Sequence, residues 1–203
     1  MRVYDSCMHA LFFMKKQKKF TWQNVLFIVV ILLLLIPQTR TPIQVALNKV
    51  KVAIFSPSAF AKADQQQLKP FTYSLTSLDG APKEVSIGTG KVTFISYWAT
   101  WCPPCIAELP SIEALYKDYG DKVEFLLITN ENPEVVARFM AKKDHKLPAV
   151  LPAMETPEQL FERSIPTTYI IDKTGHIIIK EKGASNWNSD AVRTTLDELI
   201  AED

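Results

Sequence analysis

Val92-Thr93-Phe94-Ile95-Ser96-Tyr97-Trp98-Ala99-Thr100-Trp101-Cys102-Pro103-Pro104-Cys105 is the stretch that decides the fold. Its opening run, Val92 to Tyr97, is apolar and rich in β-branched and aromatic residues, which predicts a buried strand, and Pro103 through Tyr119 read as a helix. Cys102 then stands where a strand hands over to a helix N-terminus. Unpaired amides and the positive end of the helix dipole favour a thiolate there. Two thiols so spaced can cycle between dithiol and disulfide, so thiol–disulfide exchange is the leading chemical expectation.

Other uses of the pair fit less well. A structural zinc site would have to draw its remaining ligands from Cys7, His9, His145 and His176, whose spacings match no finger or ribbon. Haem attachment needs a His directly after the second Cys, and Ile106 occupies that place. An inert buried disulfide stays open as a minority reading, although a strand-to-helix corner flanked by Trp and two Pro is a poor place for a staple.

Outward from this corner, strand and helix patterns alternate. Phe71 to Leu75 and Glu84 to Ile87 flank Asp79-Gly80, a hairpin signal. After the helix come a strand (123–129), a helix (133–143), a short strand near Val150 and a short helix (156–161). Two strands (168–172 and 176–180) then meet at Lys173-Thr174-Gly175, and a last helix (189–201) is capped by Ser189. The pattern predicts an α/β domain over residues 67–203, a mixed sheet with helices on both faces.

Charge divides the chain. Residues 1–66 carry nine Lys and Arg against two acids, and residues 67–203 carry fourteen against twenty. An acidic folded part argues against nucleic-acid binding. Lys15, Lys16, Lys18 and Lys19 precede a charge-free apolar stretch, and Phe20 to Ile36 is 17 residues long, at the short end of the roughly 17–25 a spanning helix needs. The expected organisation is a basic cytoplasmic tail (1–19), a transmembrane anchor in the lipid bilayer (20–37), a membrane-proximal tether (38–66) with an amphipathic turn or two through Ile43, Ala46, Leu47, Val50 and Ile54, and the α/β domain outside the cytoplasm. A cleaved signal peptide fits poorly, because Ala59-Phe60-Ala61 lies too far beyond the apolar run. Cys7 reads as a free thiol.

The string VTFISYWATWCPPC after Gly90-Lys91, then Glu108-Leu109-Pro110, and much later Ile165-Pro166-Thr167-Thr168-Tyr169-Ile170-Ile171-Asp172 resemble the thioredoxin superfamily. Within it they resemble the membrane-anchored TlpA/ResA-like proteins. The resemblance covers essentially all of residues 67–203. It implies a thioredoxin-like fold, Cys102 as attacking thiol and Cys105 as resolving thiol. It also implies a cis Pro166 beside the pair, with the Ile165 backbone, Trp101, Pro103 and Pro104 available to clients. Disulfide-bearing client proteins, apocytochrome c among them, and a membrane thiol-electron donor are the implied partners. No cofactor is expected.

Glu108 has two readings. On a helix it shares a row with Ile112, Leu115 and Tyr119, so it is either a solvated acid at the rim or a proton acceptor for Cys105 with a raised pKa. The buried Asp of thioredoxin proper would fall at Ser96, which cannot titrate usefully, so the resemblance leaves the role to Glu108. Pro103 and Pro104 fit the first helical turn but delete two amides that could stabilise the Cys102 thiolate, which favours a reductant. The rivals are a disulfide-introducing oxidant on the same fold, a copper-binding metallochaperone using the Cys pair, and a non-catalytic scaffold.

Overall fold

The computed structural model describes residues 21–202, and the expected basic tail and Cys7 lie outside them. Seven strands form one mixed sheet: β1 (Phe71–Ser77), β2 (Pro82–Ile87), β3 (Thr93–Tyr97), β4 (Glu124–Ile128), β5 (Ala149–Pro152), β6 (Thr167–Ile171) and β7 (Ile177–Lys182). Their order across the sheet is β2-β1-β5-β4-β3-β6-β7. Pro82 sits on the edge strand, where a missing N–H is tolerated. The strand read from VTFISY is β3, paired parallel to β4 and antiparallel to β6.

Helices α3 (Pro103–Tyr119), α4 (Pro133–Lys143) and α5 (Asp190–Ala201) connect and close the sheet. Asn132 caps α4 by accepting from Glu134 N, and Ser189 caps α5 by accepting from Val192 N, as its sequence position predicts. The expected short helix at 156–161 is only a 3-10 turn, Glu158–Leu160. In the last hairpin Asp172 Oδ1 accepts from the backbone N–H groups of Thr174 and His176. Gly175 there has φ +94°, and a Cβ on it would come within 3.0 Å of the Leu68 carbonyl oxygen, so no other residue fits without strain.

Helices on both faces is corrected. Phe94, Phe125, Leu127 and Ile170 form one buried cluster with residues of all three helices, including Leu109, Ile112, Val136, Val192 and Leu196. Their strand neighbours Ile95, Leu126, Tyr169 and Ile171 point the other way and meet Tyr73, Leu75, Leu68 and Leu160. The cause is topological. The parallel steps β3 to β4 and β4 to β5 run in the same direction along the sheet, so right-handed crossovers put α3 and α4 on one side.

The N-terminal part is built of two helices. Helix α1 (Trp22–Leu35) has 14 residues, a rise of about 21 Å against a hydrocarbon core of about 30 Å. Among the described residues no single helix is long and apolar enough to cross a membrane. The amphipathic turns read within residues 38–66 belong to a longer helix, α2, which spans Pro37–Ile54. From Thr41 onward the chain belongs to the same compact unit as the sheet. Val52 is buried with Ala107 and Ala184, and Val45 packs against them. Apolar residues at helical spacing made this docking possible, and the small alanines made room for it.

Candidate active site

Strand β3 ends at Tyr97, and the chain turns through Ala99 and Thr100 into α3. Cys102, in an extended conformation, is the N-cap of α3. Pro103 and Pro104 fill the first two helical positions, so the first amide able to turn back is that of Cys105. It donates to Cys102 Sγ at 3.3 Å. The two cysteines are joined as a disulfide. Cys105 is wholly buried and Cys102 is 3% exposed, whereas Trp101 beside them is 68% exposed. The pair is thus shielded, with a large apolar side chain standing out into solvent next to it.

Glu108 lies one turn further along α3 and is 1% exposed, so the rim reading is overturned. Its Oε2 accepts from Trp187 Nε1 at 3.1 Å and from Ser185 N at 3.3 Å, while Oε1 has no partner. Ile112, Leu115 and Tyr119 of its row are buried as expected. Burial outweighs the two hydrogen bonds and pushes the carboxyl up to about 8. Burial thus favours the protonated form and makes the carboxylate a stronger base than usual, and Oε1 is the oxygen left to carry the proton. Ser96 is buried and accepts from Thr168 Oγ1 at 2.9 Å, an inter-strand bridge without acid–base capacity.

The Ile165–Pro166 peptide bond is cis. Thr167 pairs with Tyr97, so this bond lies at the sheet end from which the chain leaves for Cys102. Pro166 O accepts from Gly183 N at 2.8 Å. Ile165, Tyr97, Trp98, Ile128, Leu160 and Phe161 line a cavity of about 120 Å³. Trp98 is a core residue as expected, with its Nε1 unpartnered.

One site residue escaped sequence reasoning. Glu131, after β4, accepts from Thr100 N at 2.6 Å and from Thr100 Oγ1 at 2.7 Å, clamping the turn two residues before Cys102. No local motif marks an acid whose partners lie about thirty residues upstream. His145 and His176, considered as ligands, are instead held by Glu113 and Asp172.

Comparison with known proteins agrees with this geometry. The Redoxin family profile matches residues 62–199. Thiol-disulfide oxidoreductase ResA of Halalkalibacterium halodurans is 31% identical over 127 residues, 61% of this chain and 70% of that one. Thioredoxin-like protein YneN of Bacillus subtilis is 31% identical over 109 residues, 52% of this chain and 64% of that one, which is just under two thirds of its length. Among solved structures, the exposed lipoprotein thioredoxin of Streptococcus pneumoniae superposes with a TM-score of 0.52 at 27% identity, covering 64% of this chain and 100% of that one.

Proposed function

The chain belongs to the Redoxin family and is a thiol–disulfide oxidoreductase of the thioredoxin fold, and from that premise we propose that it reduces client disulfides outside the cytoplasm while anchored to a membrane. The observation that carries the redox direction is the single amide on Cys102 Sγ. With Pro103 and Pro104 at the first two helical positions, the dithiol form receives little thiolate stabilisation, and a less stabilised reduced form makes a more reducing couple. Glu131, which accepts from Thr100, brings an acidic residue to the turn that leads to Cys102.

In the proposed cycle the Cys102 thiolate attacks one sulfur of a client disulfide. That bond breaks, the mixed disulfide forms, and the leaving client sulfur takes up a proton. Cys105 gives its proton to the ionised fraction of Glu108, a fraction that grows as the pH approaches 8, and the resulting thiolate attacks Cys102 Sγ, releasing the second client sulfur, which takes up a proton. Two electrons pass to the client, and a membrane thiol donor restores the dithiol. A thiol ordinarily titrates near 8.5, so a carboxyl raised to about 8 is well matched to receive its proton.

Clients would lie across Trp101, Pro103, Pro104 and the Ile165 backbone beside Pro166. Apocytochrome c, with paired cysteines before a His, is one client class that the resemblance suggests. Anchoring through residues 20–37 is supported by the charge-free run and the lysines before it. The test is to express the Cys105→Ser chain and recover its mixed disulfides: clients bound through Cys102 support the reading, and their absence overturns it. The isolated couple should also have a potential below about −200 mV, on the thioredoxin side of the known range. A value near that of a strong oxidant would assign the opposite direction.

A further inference from the structure

The segment between β7 and α5, Gly183 to Trp187, is held from several sides at once. From within, Ser185 N and Trp187 Nε1 donate to Glu108, and Trp187 N donates to Ser111 Oγ of α3. At its start, Gly183 N donates to Pro166 O. From outside, Asn186 N donates to Phe55 O, just beyond α2, at 2.9 Å. Ala184 is buried against Val52 of α2 and Ala107 of α3, the residue next to Glu108. The Lys51 ammonium lies over Gly183, 3.3 Å from where a Cβ would stand.

We propose that α2 is a positioning element of the redox site: through Val45 and Val52 it clamps the Gly183–Trp187 strap and closes the Glu108 chamber to water, while Lys51 sets a charge beside the acid. The strap supplies both hydrogen bonds that Glu108 receives and is tied to the carbonyl of the cis proline, so fixing it fixes the acid and the proline loop together. Two charged groups act on the carboxyl, Lys51 from α2 and Glu181 from β7, and they oppose each other. The strap and α3 bring no further charge toward it. Closure by α2 therefore raises the proton affinity of the carboxylate by excluding water, and Lys51 moderates that effect. This role rests on the reading of Glu108 as the proton acceptor for Cys105.

The test uses the full chain in its oxidised form and follows the Glu108 side-chain carboxyl by NMR titration, which needs no turnover. Val52→Asn should loosen α2, admit water and lower the midpoint by on the order of one pH unit. Lys51→Met keeps the helix docked, removes the favourable charge and should raise the midpoint by roughly a few tenths, since an exposed ammonium is screened. Leu47→Asn, on the outward side of α2, should leave it in place. Opposite shifts for Val52→Asn and Lys51→Met establish the clamp. Shifts in the same direction, or none in either, overturn it. If Val52→Asn does not fold, Lys51→Met decides alone, and an unmoved midpoint refutes the inference. The proton-acceptor reading is judged separately, by whether Glu108→Gln alters the pH profile of mixed-disulfide resolution.

Discussion

Two donors reach one oxygen of Glu108 and none reaches the other, which is why burial wins over hydrogen bonding at this carboxyl. An unfolded chain would release the proton near 4.5, whereas the folded chain holds it up to about 8. Between those values the unfolded state binds fewer protons. Stability therefore falls as pH rises through that window, by about 1.4 kcal/mol per pH unit at most. Glu108→Gln removes this dependence and should be about 2 kcal/mol more stable than the parent at pH 7, checked by urea unfolding at pH 5 and pH 7, with the gap closing at the lower pH. The same variant should resolve its mixed disulfide more slowly and lose the rise in rate near pH 8. Helical spacing alone shows that Glu108 shares an apolar row. Its full burial is not legible there, because the donors come from 77 and 79 residues away. Glu131 is illegible for the same reason: its value lies in a contact across the sheet end and not in its neighbours along the chain.

Helix α3 was legible almost to the residue, since a β-branched run, an N-cap cysteine and two prolines in the first turn all agree on where it starts. The prolines set up a specific test. Pro104→Ala restores an amide beside Cys102 Sγ, so the thiolate should gain stabilisation and the couple should become less reducing by roughly 10–30 mV, measured by equilibration with glutathione. An unchanged potential would mean that the second helical amide never reaches the sulfur. Shorter elements were harder to read. The segment at 156–161 has helical composition but makes a single 3-10 turn, because Thr156 and Pro157 precede it and the chain must reach the cis proline within a few residues. Apolar residues at helical spacing run through α2, but nothing near them in the chain shows what they pack on. Only the small side chains of Ala107 and Ala184, far along the chain, give Val52 somewhere to pack.

Across the whole chain, the alternation of strands and helices named the class of fold correctly but not the side on which each helix lies. That side depends on the order of strands in the sheet, which local patterning does not encode. The split between a basic first third and an acidic remainder yields a further expectation for the proposed topology. Protease added to cells with a permeabilised outer envelope should digest residues 67–203 and spare the N-terminal tail, read by tags at each end, and protection of the folded part would reverse the orientation. The docked α2 has one practical result. The family match begins at residue 62 and so leaves this helix out. A soluble fragment cut to those limits would keep every cysteine and proline of the site, yet it would carry an uncovered apolar scar at Ala107 and Ala184 and a wetter acid behind Cys105. Rates measured on such a fragment would describe a more acidic Glu108 than the one present with α2 docked.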